Sequence, residues 1–154
     1  MTVGQSIKKW LEKYNVIIVD VDENGEVLIE PEVTVTLDID LDQLGAGNEE
    51  SGVFKLPNSI VRKHIDGSSH HTEYYLFAIR QPTQLSSERI SNAKWLEELE
   101  TWVDENNNNG VVPNLTDKRF TTNIEISSTY YLSESSEENG VYQLSLEIQY
   151  EKEI

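Results

Sequence analysis

Strict two-residue alternation constrains this chain more than any other feature. Between Val33 and Asp42, the apolar Val33, Val35, Leu37, Ile39 and Leu41 alternate with Thr34, Thr36, Asp38, Asp40 and Asp42. Toward the C-terminus, Ile124, Ile126, Ser128, Tyr130 and Leu132 recur at every second position, and Tyr142, Leu144, Leu146, Ile148 and Tyr150 do the same. Successive side chains on a strand point to opposite faces, so this pattern buries one face of a sheet and wets the other. The apolar face then needs a second layer.

Two helical segments can supply it. Val3, Ile7, Trp10, Leu11 and Tyr14 recur at helical spacing, behind the capping-box spacing of Thr2-Val3-Gly4-Gln5, and predict a helix over about residues 3–14. A second helix, about 87–105, has an apolar stripe of Ile90, Ala93, Leu96, Leu99, Trp102 and Val103 and stops at Asn106–Gly110. Between them lie a buried strand at Val16–Val19, a turn at Glu23-Asn24-Gly25, a returning strand at Val27–Ile29, and a flexible loop over 43–52. Strands at 60–65 and 72–80 follow, joined through Asp66-Gly67 and closed by Pro82. Asn139-Gly140 marks the turn between the last two strands. The expectation is a single α+β domain over 1–154, with two helices packed on a mostly antiparallel sheet and an acidic variable region at about 20–52.

Charge narrows the function. The chain has 28 acidic and 12 basic residues, a net −16. Such a field repels DNA and anionic membranes, which argues against phosphate-neutralising nucleic-acid binding. Repulsion is itself useful on the wall of a channel that DNA slides through; solubility alone explains the charge equally well. Between Lys13 and Lys55 there are eleven acids and no basic residue, while basic residues return at Arg62-Lys63, Arg80, Arg89, Lys94 and Lys118-Arg119. This asymmetry suits head-to-tail contact between identical subunits. Cysteine is absent, so no disulfide or thiolate chemistry is available. No apolar run approaches the ~20 residues that span a bilayer, and a cytoplasmic origin is expected.

Catalytic and metal motifs do not assemble. Asp20-Val21-Asp22-Glu23-Asn24-Gly25 opens like a calcium-binding EF-hand loop, but its twelfth position is Pro31 and its flanks read as strands, so an acidic turn is the better reading. His64, His70 and His71 read as loop histidines, since adjacent side chains of an extended chain diverge and do not converge on zinc. There is no phosphate loop, dinucleotide fingerprint or nucleophile elbow. No catalytic residue, cofactor or metal is expected. Trp10, Trp95 and Trp102 read as core or subunit-interface residues.

The run from Val61 to Pro113 reads as a packing and assembly unit. The residues Val61-Arg62-Lys63-His64-Ile65-Asp66-Gly67-Ser68, the aromatic strand through Phe77 to Arg80, Ile90-Ser91-Asn92, Trp95-Leu96-Glu97, Trp102-Val103, Asn106-Asn107, Gly110-Val111-Val112-Pro113-Asn114-Leu115, Tyr130-Tyr131-Leu132 and the strand Tyr142–Tyr150 form an ordered set over about 100 residues. This set resembles the minor capsid or tail-terminator proteins of tailed phages and prophages of low-GC Gram-positive bacteria. Residues 20–52 are longer and more acidic than that family's pattern. The resemblance implies the order α-β-X-β(2)-α-β(2) and a structural, non-enzymatic protein. It implies a hexameric ring that caps the tail tube, meets the head connector and passes DNA without binding it specifically. The protein would be assembled in the host cytoplasm and end in the virion. On this reading Asp38, Asp40, Asp42, Arg62, Lys63, Arg80 and Trp102 are candidate lumen or interface residues. Two alternatives of other classes are an acidic DNA-mimic inhibitor and a calcium-stabilised binding module.

Overall fold

The computed structural model describes residues 1–14, 16–18, 24, 33–35 and 37–154, with the backbone alone at 16–18 and 33–35. In chain order these form α1 (Val3–Leu11), β1 (Val16–Ile18), β2 (Val33–Val35), β3 (Ile39–Leu41), β4 (Ser51–Lys63), β5 (Ser69–Pro82), α2 (Ser86–Asn108), β6 (Arg119–Ser135) and β7 (Asn139–Lys152). Among the described residues the fold is α+β: a five-stranded mixed sheet in the order β3-β4-β5-β7-β6, a separate β1–β2 pair, and two helices. The long β4–β5, β5–β7 and β7–β6 ladders are antiparallel, and β3 joins β4 in parallel.

The capping box of α1 forms as its spacing predicts. The amide of Gln5 donates to Thr2 Oγ1 at 3.1 Å, and the amide of Thr2 donates to Gln5 Oε1 at 2.8 Å. The helix ends three residues earlier than expected, but Tyr14 stays buried and its hydroxyl donates to the carbonyl of Trp95 at 2.9 Å. Trp10 meets Trp102 with ring centroids 4.8 Å apart. The helices therefore share one core with a single face of the sheet, made by Val53, Tyr75, Phe77, Ile79, Ile124 and the alternating Tyr142–Tyr150 set. Fully burying each aliphatic or Phe side chain there contributes about 1.5–3 kcal/mol.

Several boundaries differ from the sequence reading, each for a local reason. The alternation over 33–42 is not one strand. Val33–Val35 pairs with Val16–Ile18, whereas Ile39–Leu41 pairs with Ser51–Val53. The periodicity survives the change of partner because Leu37 and Ile39 both turn into the core. Strand β4 begins at Ser51, inside the stretch expected to be loop, and its ladder shifts register between Lys55 and Ser59. Pro57 lies in that gap, where its missing amide costs no ladder bond. On α2, Ile90 is exposed and Ala93 only half-buried; Asn92, Trp95, Leu96, Leu99 and Val103 form the buried face. Asn139 and Gly140 belong to β7, and Ser136–Glu138 make the turn. Register shifts after Ile126 break the alternation on β6, leaving Leu132 exposed. His70 and His71 lie on strand β5 rather than in a loop. The acidic Asp20–Gly25 turn and the Val27–Ile29 strand lie outside the described residues, Asn24 excepted.

The two outer strands of the sheet are managed differently. On β6, side chains of α2 meet backbone amides: Ile124 N–H donates to Asn107 Oδ1 at 3.0 Å and Tyr130 N–H to Glu100 Oε1 at 2.9 Å. On the other side, β3 covers β4 only along Ser51–Val53. Asp42, at φ 56°, turns the chain so that the Gln43 carbonyl lies over Gly52; a Cβ at Gly52 would sit 2.1 Å from that oxygen.

Candidate functional site

Three regions of this frame carry exposed or concentrated chemistry. The first is the far half of the β4–β5 hairpin. Every residue from Pro57 to Gly67 is exposed, among them Ile60, Val61 and Ile65, the last with no shielding at all. The ladder keeps this arm ordered, pairing Ser59 with Glu73 through to Lys63 with Ser69. At its tip Asp66 accepts from the Ser68 amide at 2.9 Å and the Ser68 hydroxyl at 2.6 Å, which hold its carboxyl below the usual range. Arg62 and Lys63 lie here, and Lys63, Lys152 and Arg119 fall in one row across β4, β5, β7 and β6.

The histidines belong to this same end. His70 Nδ1 lies 2.7 Å and His64 Nε2 3.3 Å from opposite oxygens of Glu151. His71 turns to the other face and stacks on Tyr150, centroids 4.7 Å apart. Burial lowers the pKa of His71. Among the described residues no group of three carboxylates or imidazoles is placed to hold a metal.

The second region is the acidic edge. Asp38, Asp40 and Asp42 are all exposed, as are Glu49 and Glu50 in the connection to β4. Converting the three aspartates to Asn should change stability by no more than about 0.5 kcal/mol each, since exposed side chains away from caps and pairs contribute little. A loss of several kcal/mol in the unfolding free energy from denaturant titration would show that they are structural.

The third region is an open cleft of about 720 Å³ between the start of α1 and the sheet, lined by Lys55, Glu73, Tyr75, Arg119, Tyr150 and Lys152 among others. Glu73 is buried at its wall. It accepts from the Tyr150 hydroxyl at 2.5 Å and the Tyr75 hydroxyl at 2.8 Å, with Lys55 Nζ 3.6 Å away. Burial opposes its charge, but the two phenols and the ammonium outweigh that and hold its pKa below the carboxylate norm. Tyr75 and Tyr150 are pushed above the ordinary phenol value, first by burial and then by Glu73. A carboxylate held ionised and twice hydrogen-bonded is a poor proton acceptor, which favours a structural knot over acid–base chemistry. Sequence reasoning missed it. The signal was present: Glu73 breaks an otherwise apolar inward set of Tyr75, Phe77 and Ile79.

The remaining expected site residues do not gather in one place. Arg80 Nε donates to the Gly45 carbonyl at 3.0 Å and ties the 43–50 connection to β5, so it acts as a structural tether. Trp102 is half-buried between Trp10 and Tyr14, at the rim of the core. Asp38–Asp42 and Arg62–Lys63 lie near opposite ends of β4. No protein-family model matches the chain, and no curated protein matches it significantly.

Proposed function

We propose that this chain is a structural protein of a tailed phage or prophage, a tail terminator or head–tail joining component that caps the tail tube and receives the head. The observation that carries the reading is an agreement of two orders. The residue set from Val61 to Tyr150 resembles that family, and the elements fall in the order α, β, a variable β region, two long antiparallel strands, α, two long antiparallel strands. The chemistry is compatible with it. Among the described residues the exposed features are an ordered arm and an acidic edge, which suit assembly, and the one buried carboxylate, Glu73, is tied up in hydrogen bonds. Each copy carries −16, so a ring of copies would repel the DNA it passes.

In this reading six copies close a ring between the tail-tube protein and the head connector. The protein is assembled in the host cytoplasm and resides in the virion. Complementation in extract tests it. Heads and tails from a phage lacking this chain should fail to join, and purified protein added to the mixture should restore infectious particles. Restored joining without the protein, or none with it, would end the reading.

A further inference from the structure

The β4–β5 arm is exposed from Pro57 to Gly67, and its described contacts with the rest of the chain include the His64–Glu151 pair. Ile60, Val61 and Ile65 face solvent, and the outward stretch Pro57–Ile65 adds Arg62, Lys63 and His64 with no acid. The exposed acids Asp38, Asp40 and Asp42 flank the beginning of the same strand: Asp40 is register partner to Gly52, ten positions before Arg62. At about 3.3 Å per residue the two sets lie roughly 30 Å apart. That is several screening lengths at physiological salt, about 8 Å each, so they cannot neutralise one another within a subunit. Beside the acids the sheet also offers apolar surface. Phe54 and Leu76 are cross-strand partners, both half-exposed, on the face opposite the core.

We infer that the β4–β5 arm of one copy docks on the acidic β3 edge of a second copy. Ile60 and Ile65 lie toward the Phe54–Leu76 spot, and Arg62 and Lys63 meet Asp38, Asp40 and Asp42. The contact joins two unlike surfaces, so after pairing one copy keeps a free edge and the other a free arm, and repetition closes a ring or extends a filament. The residues that differ in sign are exposed, so the match acts between chains rather than on folding. This assignment rests on the tail-terminator reading for its purpose but not for its test.

The absence of cysteine makes that test clean. Two single-cysteine proteins, Ile65→Cys and Asp40→Cys, are mixed at low ionic strength and oxidised gently. A mixed disulfide dimer should form faster than the pair Ile65→Cys with Glu105→Cys, whose second thiol lies at an exposed site on α2. Joint Arg62→Glu and Lys63→Glu substitution should slow that cross-link about tenfold, and joint Asp38→Lys and Asp42→Lys on the second protein should recover it. Melting curves of every variant establish that it is folded. Equal rates with the α2 control, or no recovery on charge exchange, would overturn the docking assignment. Extract complementation reads the terminator role separately: joining restored by the charge-reversed arm would sink the docking but keep the role, whereas cross-linking without any effect on joining would do the opposite.

Discussion

Trp10→Ala is expected to lower the free energy of unfolding by about 3–5 kcal/mol. Trp10 is 2% exposed and stands where both helices and the 111–113 segment converge. Its ring meets Trp102 at 4.8 Å, and its indole N–H donates to the Val111 carbonyl at 2.9 Å. Truncation therefore opens a cavity between α1 and α2 and releases a hydrogen bond that pins the chain after α2. Trp102→Ala removes a half-buried ring from the same contact and should cost less, about 2 kcal/mol. Denaturant unfolding of both variants checks the order. A larger loss at Trp102 than at Trp10 would mean that the shared core of the helices is wrongly described. An unchanged midpoint for Trp102→Ala together with failed assembly would make Trp102 an interface residue.

Glu73→Ala should cost about 2–3 kcal/mol, because two hydrogen bonds to a charged acceptor are lost and two buried phenols are left unpaired. The pH dependence carries the sharper test. The folded-state pKa of Glu73 lies below its unfolded value, so its stabilisation is fully present above the ordinary carboxylate range. It is lost as pH falls through the depressed folded value. His71 acts with the same sign, since its folded pKa is also lowered and acid favours the unfolded chain, which binds the proton more readily. The wild type and Glu73→Gln should differ most in melting temperature near pH 7 and converge toward pH 3. A gap that stays constant with pH would mean that charge at Glu73 contributes nothing.

Much of the fold was legible because its signals are local. The Thr2–Gln5 box and the Tyr142–Tyr150 alternation each report their own element, and both appear as read. What was not legible depends on partners distant in sequence. Nothing in Val33–Leu41 indicates that its two halves pair with different strands, because Leu37 and Ile39 keep the inward phase through the break. The face of α2 was misread at Ile90, since propensity and period do not tell where the helix overhangs the sheet. Asn92 was overlooked as a buried residue; its side-chain amide donates to the Pro82 carbonyl at 2.9 Å, which a scan for apolar positions ignores. Of the candidate site, the arm's composition was visible at Val61–Ser68, but its exposure was not. A run containing Ile60, Val61 and Ile65 reads as core until the exposure of all three shows that the arm runs past the core.

The central claim is that this protein ends tail growth and readies the tail for the head. Tail length, measured by electron microscopy in lysates of the phage with and without this chain, tests it most directly. A uniform length with the protein, and a broad, overlong distribution of unjoined tails without it, is the predicted result. Tails of normal, uniform length joined to heads in its absence would contradict the account.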